Sequence, residues 1–169
     1  MSLTLPTNYN SALANPFKEN WLVQIYYDAT NFTGIAFGDT TVASISYSGC
    51  ILNKPTIRES IDITKGTAKS GNISLDCANF AVGSDSFSDL IVGGSNTYLS
   101  KTVKIYSLLN DSSDIADALL IYIGRLQSVS MDENTVKLSI VEKRPWDFVE
   151  IPNTKTDTQI NVPVAYGDF

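Results

Sequence analysis

The sequence predicts an all-β fold, and three observations predict it. Ser, Thr and Asn make up 47 of the 169 residues, and the acids are 13 Asp against 5 Glu. Turn and strand formers are therefore abundant, while Ala-, Glu- and Lys-rich helical stretches are scarce. Short runs of alternating apolar and polar residues recur along the chain, punctuated by Gly, Asn, Asp and Pro. An apolar share of 43% at this length suffices for the core of one domain. The architecture expected is a closed or nearly closed antiparallel barrel with an extra hairpin and extended terminal arms. Closure, or burial by neighbours, answers the problem of exposed edges that so many strands create.

Residues 1–20 are polar, carry Pro6 and Pro16 and show no periodicity. They read as an N-terminal arm that gains order against a partner. The arm has no basic n-region followed by an apolar stretch, so no signal peptide is expected. The β domain is expected over 21–144. It opens with the aromatic and β-branched strand Trp21–Tyr27, ended by 28–31. Gly34–Phe37 is a short strand that Gly38-Asp39 turns. Val42–Tyr47 alternates with period two until Gly49 breaks it.

Ile57–Ile63 places Ile57, Ile61 and Ile63 on one face, with Glu59 as the intruder, and Asn72–Cys77 places Ile73, Leu75 and Cys77 inward. Together they predict a hairpin with a long loop over 65–71. Phe87, Leu90 and Ile91 have the spacing of one helical turn. Thr102–Leu108 is a strand, and 111–114 is a turn or a helix cap. Leu119–Met131 is a long strand whose first half, to Ile123, is apolar on both faces. That predicts a central strand covered on both sides. Gly124 marks a bend or bulge. Gly124–Met131 and Thr135–Lys143 form the clearest hairpin, closed at Asp132-Glu133-Asn134. Residues 145–169 are an extended, Pro-punctuated C-terminal segment that reads as leading into a longer polypeptide.

The chain has no histidine. This removes Ser-His-Asp and Cys-His nucleophiles, His-ligated metals and the commonest general base. Cys50 and Cys77 are too few for a four-thiolate zinc site; Cys77 falls on the inward face of its strand, and both are expected to be reduced. A net charge of −6 argues against phosphate-backbone binding. The longest apolar run, 118–123, is far short of the roughly 18 residues that span a bilayer. Gly66 to Gly71 carries phosphate-loop letters in the wrong order and between strands, so it reads as a hairpin loop. Asp111, Asp114 and Asp117 lack the alternate spacing and closing Glu of a calcium loop and read as a solvated turn. No enzymatic activity and no cofactor are expected.

Lys54, Arg58, Lys65 and Lys69, set against Glu59 and Asp62, make a local excess of positive charge in an acidic chain. They are candidate contacts for an acidic neighbour, and Trp146 at the head of the C-terminal segment joins them. The early aromatics Trp21, Tyr26, Tyr27, Phe32 and Phe37 read first as core. Their alternative is a stacking platform, which would make the protein a β-sandwich carbohydrate-binding module.

The stretches TIRESIDITK (56–65) and SGNISLDCAN (70–79) form one pattern. VKIY (103–106), IYIGRLQ (121–127), TVKLSI (135–140), RPWDF (144–148) and PVAYGD (163–168) form another. Together they resemble the N-terminal β domain of tail and baseplate hub proteins of tailed bacteriophages, over roughly Trp21–Asp168. The resemblance implies a barrel-like domain that assembles into a ring, commonly a trimer at the hub. Its partners would be copies of itself and other tail proteins, and its place the virion after synthesis in the host cytoplasm. The family has no catalytic residues to carry over.

Overall fold

Alternation decides which strands of this chain join the main sheet. The computed structural model describes residues 5–57, 60–62, 67–69, 71–82 and 85–142. Its elements in order are α1 (Thr7–Ala12), β1 (Glu19–Tyr26), β2 (Phe32–Ala36), β3 (Thr40–Val42), β4 (Ile45–Gly49), β5 (Ser60–Asp62), β6 (Thr67–Lys69), β7 (Asn72–Ala78), β8 (Ala81–Val82), β9 (Asp85–Ser86), β10 (Thr102–Leu109), β11 (Leu119–Met131) and β12 (Thr135–Glu142). Eight strands form one sheet in the order β3-β4-β2-β1-β10-β11-β12-β7. β5 with β6, and β8 with β9, form separate two-stranded pieces. The all-β class therefore holds.

Inward residues of six strands build the main core. Val23 and Ile25 of β1, Ile35 of β2, Ile73, Leu75 and Cys77 of β7, Val103 and Ile105 of β10, Leu126 of β11, and Val136, Leu138 and Ile140 of β12 all lie in it. The expected turn after residue 84 is a wide helical turn over Asp89–Gly93, preceded by Phe87. Phe87 and Ile91 drop into the core from it, and the Phe80 ring stacks on Phe87 at 5.3 Å.

The expected hairpin of β11 and β12 is present: Met131 faces Val136 and Gly124 faces Glu142. The amide of Asp132 donates to the carbonyl of Thr135 at 2.8 Å and closes the turn. The register shifts between Leu126 and Ser128, beyond Gly124, and the facing pair of β10 and β11 shifts between Ile105 and Tyr106. Gly124 serves instead as a close-approach point, where a Cβ would lie 2.6 Å from both the Val141 carbonyl oxygen and Tyr122 Cε1.

Three expectations are corrected. Val42–Tyr47 is not one strand. Ala43 and Ser44 have φ of 50° and 64°, which turns the chain back on itself between β3 and β4. The amide of Ala43 donates to the Ser113 carbonyl at 2.8 Å and pins the turn. Next, β7 does not return on the strand before it. Its Ile73, Leu75 and Cys77 match Ile140, Leu138 and Val136 of β12, so β7 completes the main sheet and β5 pairs with β6 alone.

The third correction concerns closure. The sheet is mixed, because β4 runs parallel to β2, and among the described residues no continuous ladder joins its end strands, so the expected closed antiparallel barrel is not supported. The chain leaving β4 reaches β7 through one bridge, Ile51 opposite Cys77. Two backbone bonds flank it, Leu52 amide to Asp76 carbonyl at 2.8 Å and Ala78 amide to Cys50 carbonyl at 2.7 Å.

A second, smaller core lies on the other face of β1. Leu22, Ala36, Val42, Tyr47, Leu108 and Ala118 form it where the β3–β4 turn folds over the sheet. Gln24 is buried there with both ends of its amide satisfied. It donates to the Tyr47 hydroxyl at 2.7 Å and accepts from the Tyr26 hydroxyl at 3.0 Å. Part of the arm is ordered by the chain itself. Tyr9 of α1 is buried, and its hydroxyl donates to Ser107 Oγ of β10 at 3.0 Å. Among the described residues, no helix is long and apolar enough to cross a membrane.

Candidate assembly surface

The basic cluster expected from the sequence is only partly within the described residues. Lys54 is there, and its charge is already engaged. Its Nζ donates to Glu19 Oε2 at 2.5 Å and lies 4.8 Å from the centre of the Trp21 ring. Ser107 Oγ donates to the other oxygen of Glu19 at 2.7 Å, so Tyr9, Ser107, Glu19 and Lys54 form a chain of contacts across the start of the sheet. Burial works to raise the pKa of Glu19. The hydrogen bonds from Lys54 and Ser107 and the Lys54 charge outweigh it, and the carboxyl stays below its usual range. Lys69 is placed by its backbone, opposite Ser60 in the β5–β6 pair. Arg58, Lys65 and Trp146 lie outside the described residues.

Two other features stand out as surfaces, and neither was found from the sequence. The first is the outer face of β10 and β11. Leu22, Tyr106 and Leu120 lie in one cross-strand row and Gln24, Lys104 and Ile123 in the next. The β3–β4 turn covers the β1 end of these rows. At the β11 end, Leu120 and Ile123 are each 40% exposed. The run over 119–123 thus lies in a central strand, as expected, but the expected cover on its outer face is not supplied by the described residues. Lys104 Nζ sits 5.0 Å from the centre of the Tyr26 ring at the border of this patch. Burial, with smaller contributions from Tyr26 and Tyr47, pushes the Tyr106 phenol up to about 12. The Tyr106 phenol is therefore a neutral donor at physiological pH.

The second feature is the free edge of β7. The bridge to Ile51 occupies only its Asp76–Ala78 end. Among the described residues, no strand pairs with Asn72–Leu75 on that side. The opposite end of the sheet is blunted, since β3 has three residues.

The remaining candidates disperse into structural roles. Asp111 pairs with Lys18 at 2.9 Å, Asp114 caps the short turn at Ile115–Asp117 through the Ala116 amide, and Asp117 accepts from Asn8 and Ser112. They do not converge. Among the described residues, no group of three or more Cys, Asp or Glu side chains is arranged to hold a metal. The early aromatics form no exposed row. Trp21 is buried, Tyr27 packs edge-on against Tyr98, and Phe32 lies between Tyr26 and Tyr47. Phe37 alone of the five is more than a third exposed.

The chain shares its fold with a chain from the virion of a native gene transfer agent particle. The TM-score is 0.58 at 13% identity, over 88% of this chain. The match covers 49% of that chain, so this protein spans about half its length. No protein-family model and no curated protein matches the sequence.

Proposed function

We propose that the protein is a structural subunit of a phage-type virion. It serves in the tail tip or baseplate as a hub or tail-adaptor component, and it assembles into a ring with copies of itself and with other tail proteins. The fold held in common with a virion chain carries this reading, and the resemblance of the strand motifs to tail hub domains adds to it. The surface chemistry agrees with it. A sheet with an unpaired edge and an apolar outer patch is a template for adding strands and for burying area against a neighbour. The protein acts by shape and contact and catalyses nothing, and it needs no cofactor. It is made in the host cytoplasm and ends in the particle.

The direct test is to purify particles from cells carrying the gene and measure the copy number of the chain in them. Several copies per particle, with malformed tails when the gene is deleted, are expected. Complete absence from intact, infectious or transfer-competent particles would overturn the assignment.

A further inference from the structure

The seam of the open sheet holds both cysteines of the chain. Cys50 leaves β4 and Cys77 closes the inward row of β7, and both are free and buried in the main core. The bridge sets Ile51 opposite Cys77, and the Cys50 carbonyl accepts from the Ala78 amide at 2.7 Å. Opposed residues of an antiparallel pair have Cα atoms about 4.5–5.5 Å apart. Successive side chains of a regular strand face opposite ways, but the amides of Cys50 and Ile51 both donate to the Ala36 carbonyl, at 3.0 and 3.1 Å, and this bulge lets both side chains enter the main core beside Cys77. The hydrogen bond between the thiols is the first cause holding the Cys77 thiol protonated, and burial is the second. The bridge, its flanking bonds and the shared core cluster set the two cysteines side by side at the seam.

We propose that Cys50 and Cys77 are an oxidisable dithiol, whose disulfide fastens the seam that the sheet leaves without a ladder. The oxidant is a small-molecule disulfide of the glutathione class. In the closed state both thiols are buried and that of Cys77 is held protonated, so reaction requires local opening of the seam. Opening breaks few bonds, because among the described residues one bridge with two flanking hydrogen bonds spans the gap. One cysteine loses its proton to solvent, and its thiolate attacks the oxidant. The oxidant's S–S bond breaks, one thiolate leaves and a mixed disulfide forms. The second cysteine, also deprotonated, attacks the protein sulfur and expels the other small thiolate. Two protein thiols are oxidised, and one disulfide is reduced to two thiols.

The cross-link would enclose β5, β6 and β7 in one loop, since 27 positions separate the cysteines. It stabilises by restricting the unfolded chain. A reducing cytoplasm leaves the seam openable, and an oxidising exterior fastens it. The inference rests on the geometry of the seam and is independent of the reading as a virion subunit.

The test incubates the whole protein with excess oxidised glutathione, with and without sub-denaturing urea, and follows intact mass and thermal midpoint. The expected product has lost two hydrogens and carries no glutathione, forms faster in urea, and melts roughly 5–10 °C higher until dithiothreitol reverses it. Cys50→Ala and Cys77→Ala should each show no rise in midpoint. If either variant fails to fold, the oxidised and reduced forms of the natural chain still decide the matter. A stable double glutathione adduct, two thiols persisting through urea, or an oxidised form that melts lower would each overturn the proposal.

Discussion

Lys54 Nζ lies 2.5 Å from Glu19 Oε2, which ties the loop after β4 to the first residue of β1. The lysine side chain is 54% exposed and the glutamate 27%, so water screens much of the attraction. Lys54→Ala is expected to cost about 0.5–1 kcal/mol from the ion pair and the Trp21 contact together. The loss should shrink in high salt. The folded pKa of Glu19 lies below its unfolded value. Its contribution is therefore present above the unfolded pKa and lost as pH falls through the folded one. Urea midpoints at two salt concentrations and across the acid range check both points.

Asp28 organises the turn between β1 and β2. Its Oδ1 accepts from the amides of Thr30 and Asn31 at 2.7 and 2.6 Å, and its Oδ2 accepts from the Asn31 side chain at 2.7 Å. The Asn31 side chain, then the Asn31 and Thr30 amides, lower its pKa to about 2. A lowered carboxylate stabilises above its unfolded pKa, near 4, and the effect fades as pH drops toward 2. The difference in thermal midpoint between the natural chain and Asp28→Ala should therefore be full at neutral pH, shrink as pH falls below about 4, and be lost as pH passes below about 2. A difference that grows on acidification would contradict this account.

Gly124→Ala is expected to destabilise by about 1–3 kcal/mol, the usual cost of overpacking a filled site. The added methyl would meet the Val141 carbonyl and the side chains of Tyr122 and Ile140, all within 2.7 Å. Backbone cannot retreat as a flexible side chain can. A urea midpoint equal to that of the natural chain would show that the sheet yields there.

How much of this was legible in the sequence follows from range. Local alternation around a polar turn marked β11 and β12 correctly, and the inward phase of Ile73, Leu75 and Cys77 was right. Pairing was not legible for β7, because the same alternation suits any strand with a complementary row, and β12 supplied the better one. The turn at Ala43-Ser44 carried no glycine or asparagine signal, since the tertiary bond to Ser113 holds it. Double-sided apolarity over 119–123 correctly marked a central strand. It said nothing of whether the outer cover comes from this chain, and the exposed Leu120 and Ile123 are the consequence. Charge runs located Lys54 but not Glu19, which is 35 positions earlier and is placed by β1.

Protein prepared from a reducing cytoplasm should hold two thiols, since both cysteines are free and buried. A thiol reagent should react slowly with the native chain and fully after denaturation. Immediate reaction of either cysteine in the native state would show that the seam stands open.

Self-association through the outer face is open to a paired substitution. Leu120→Asp with Ile123→Asp removes apolar surface that is already 40% exposed at each residue, so the fold should persist. Circular dichroism is expected to stay unchanged while sedimentation shifts to smaller species. Unfolding of the variant, or an unaltered assembly, would place the interface elsewhere.

The central claim is ring assembly, and native mass measurement over a wide range of protein concentration tests it most directly. The account predicts a discrete species at a fixed multiple of the 18.4 kDa chain, growing with concentration and retained once formed. A single-chain mass at every concentration, unchanged when other tail proteins are added, would contradict it.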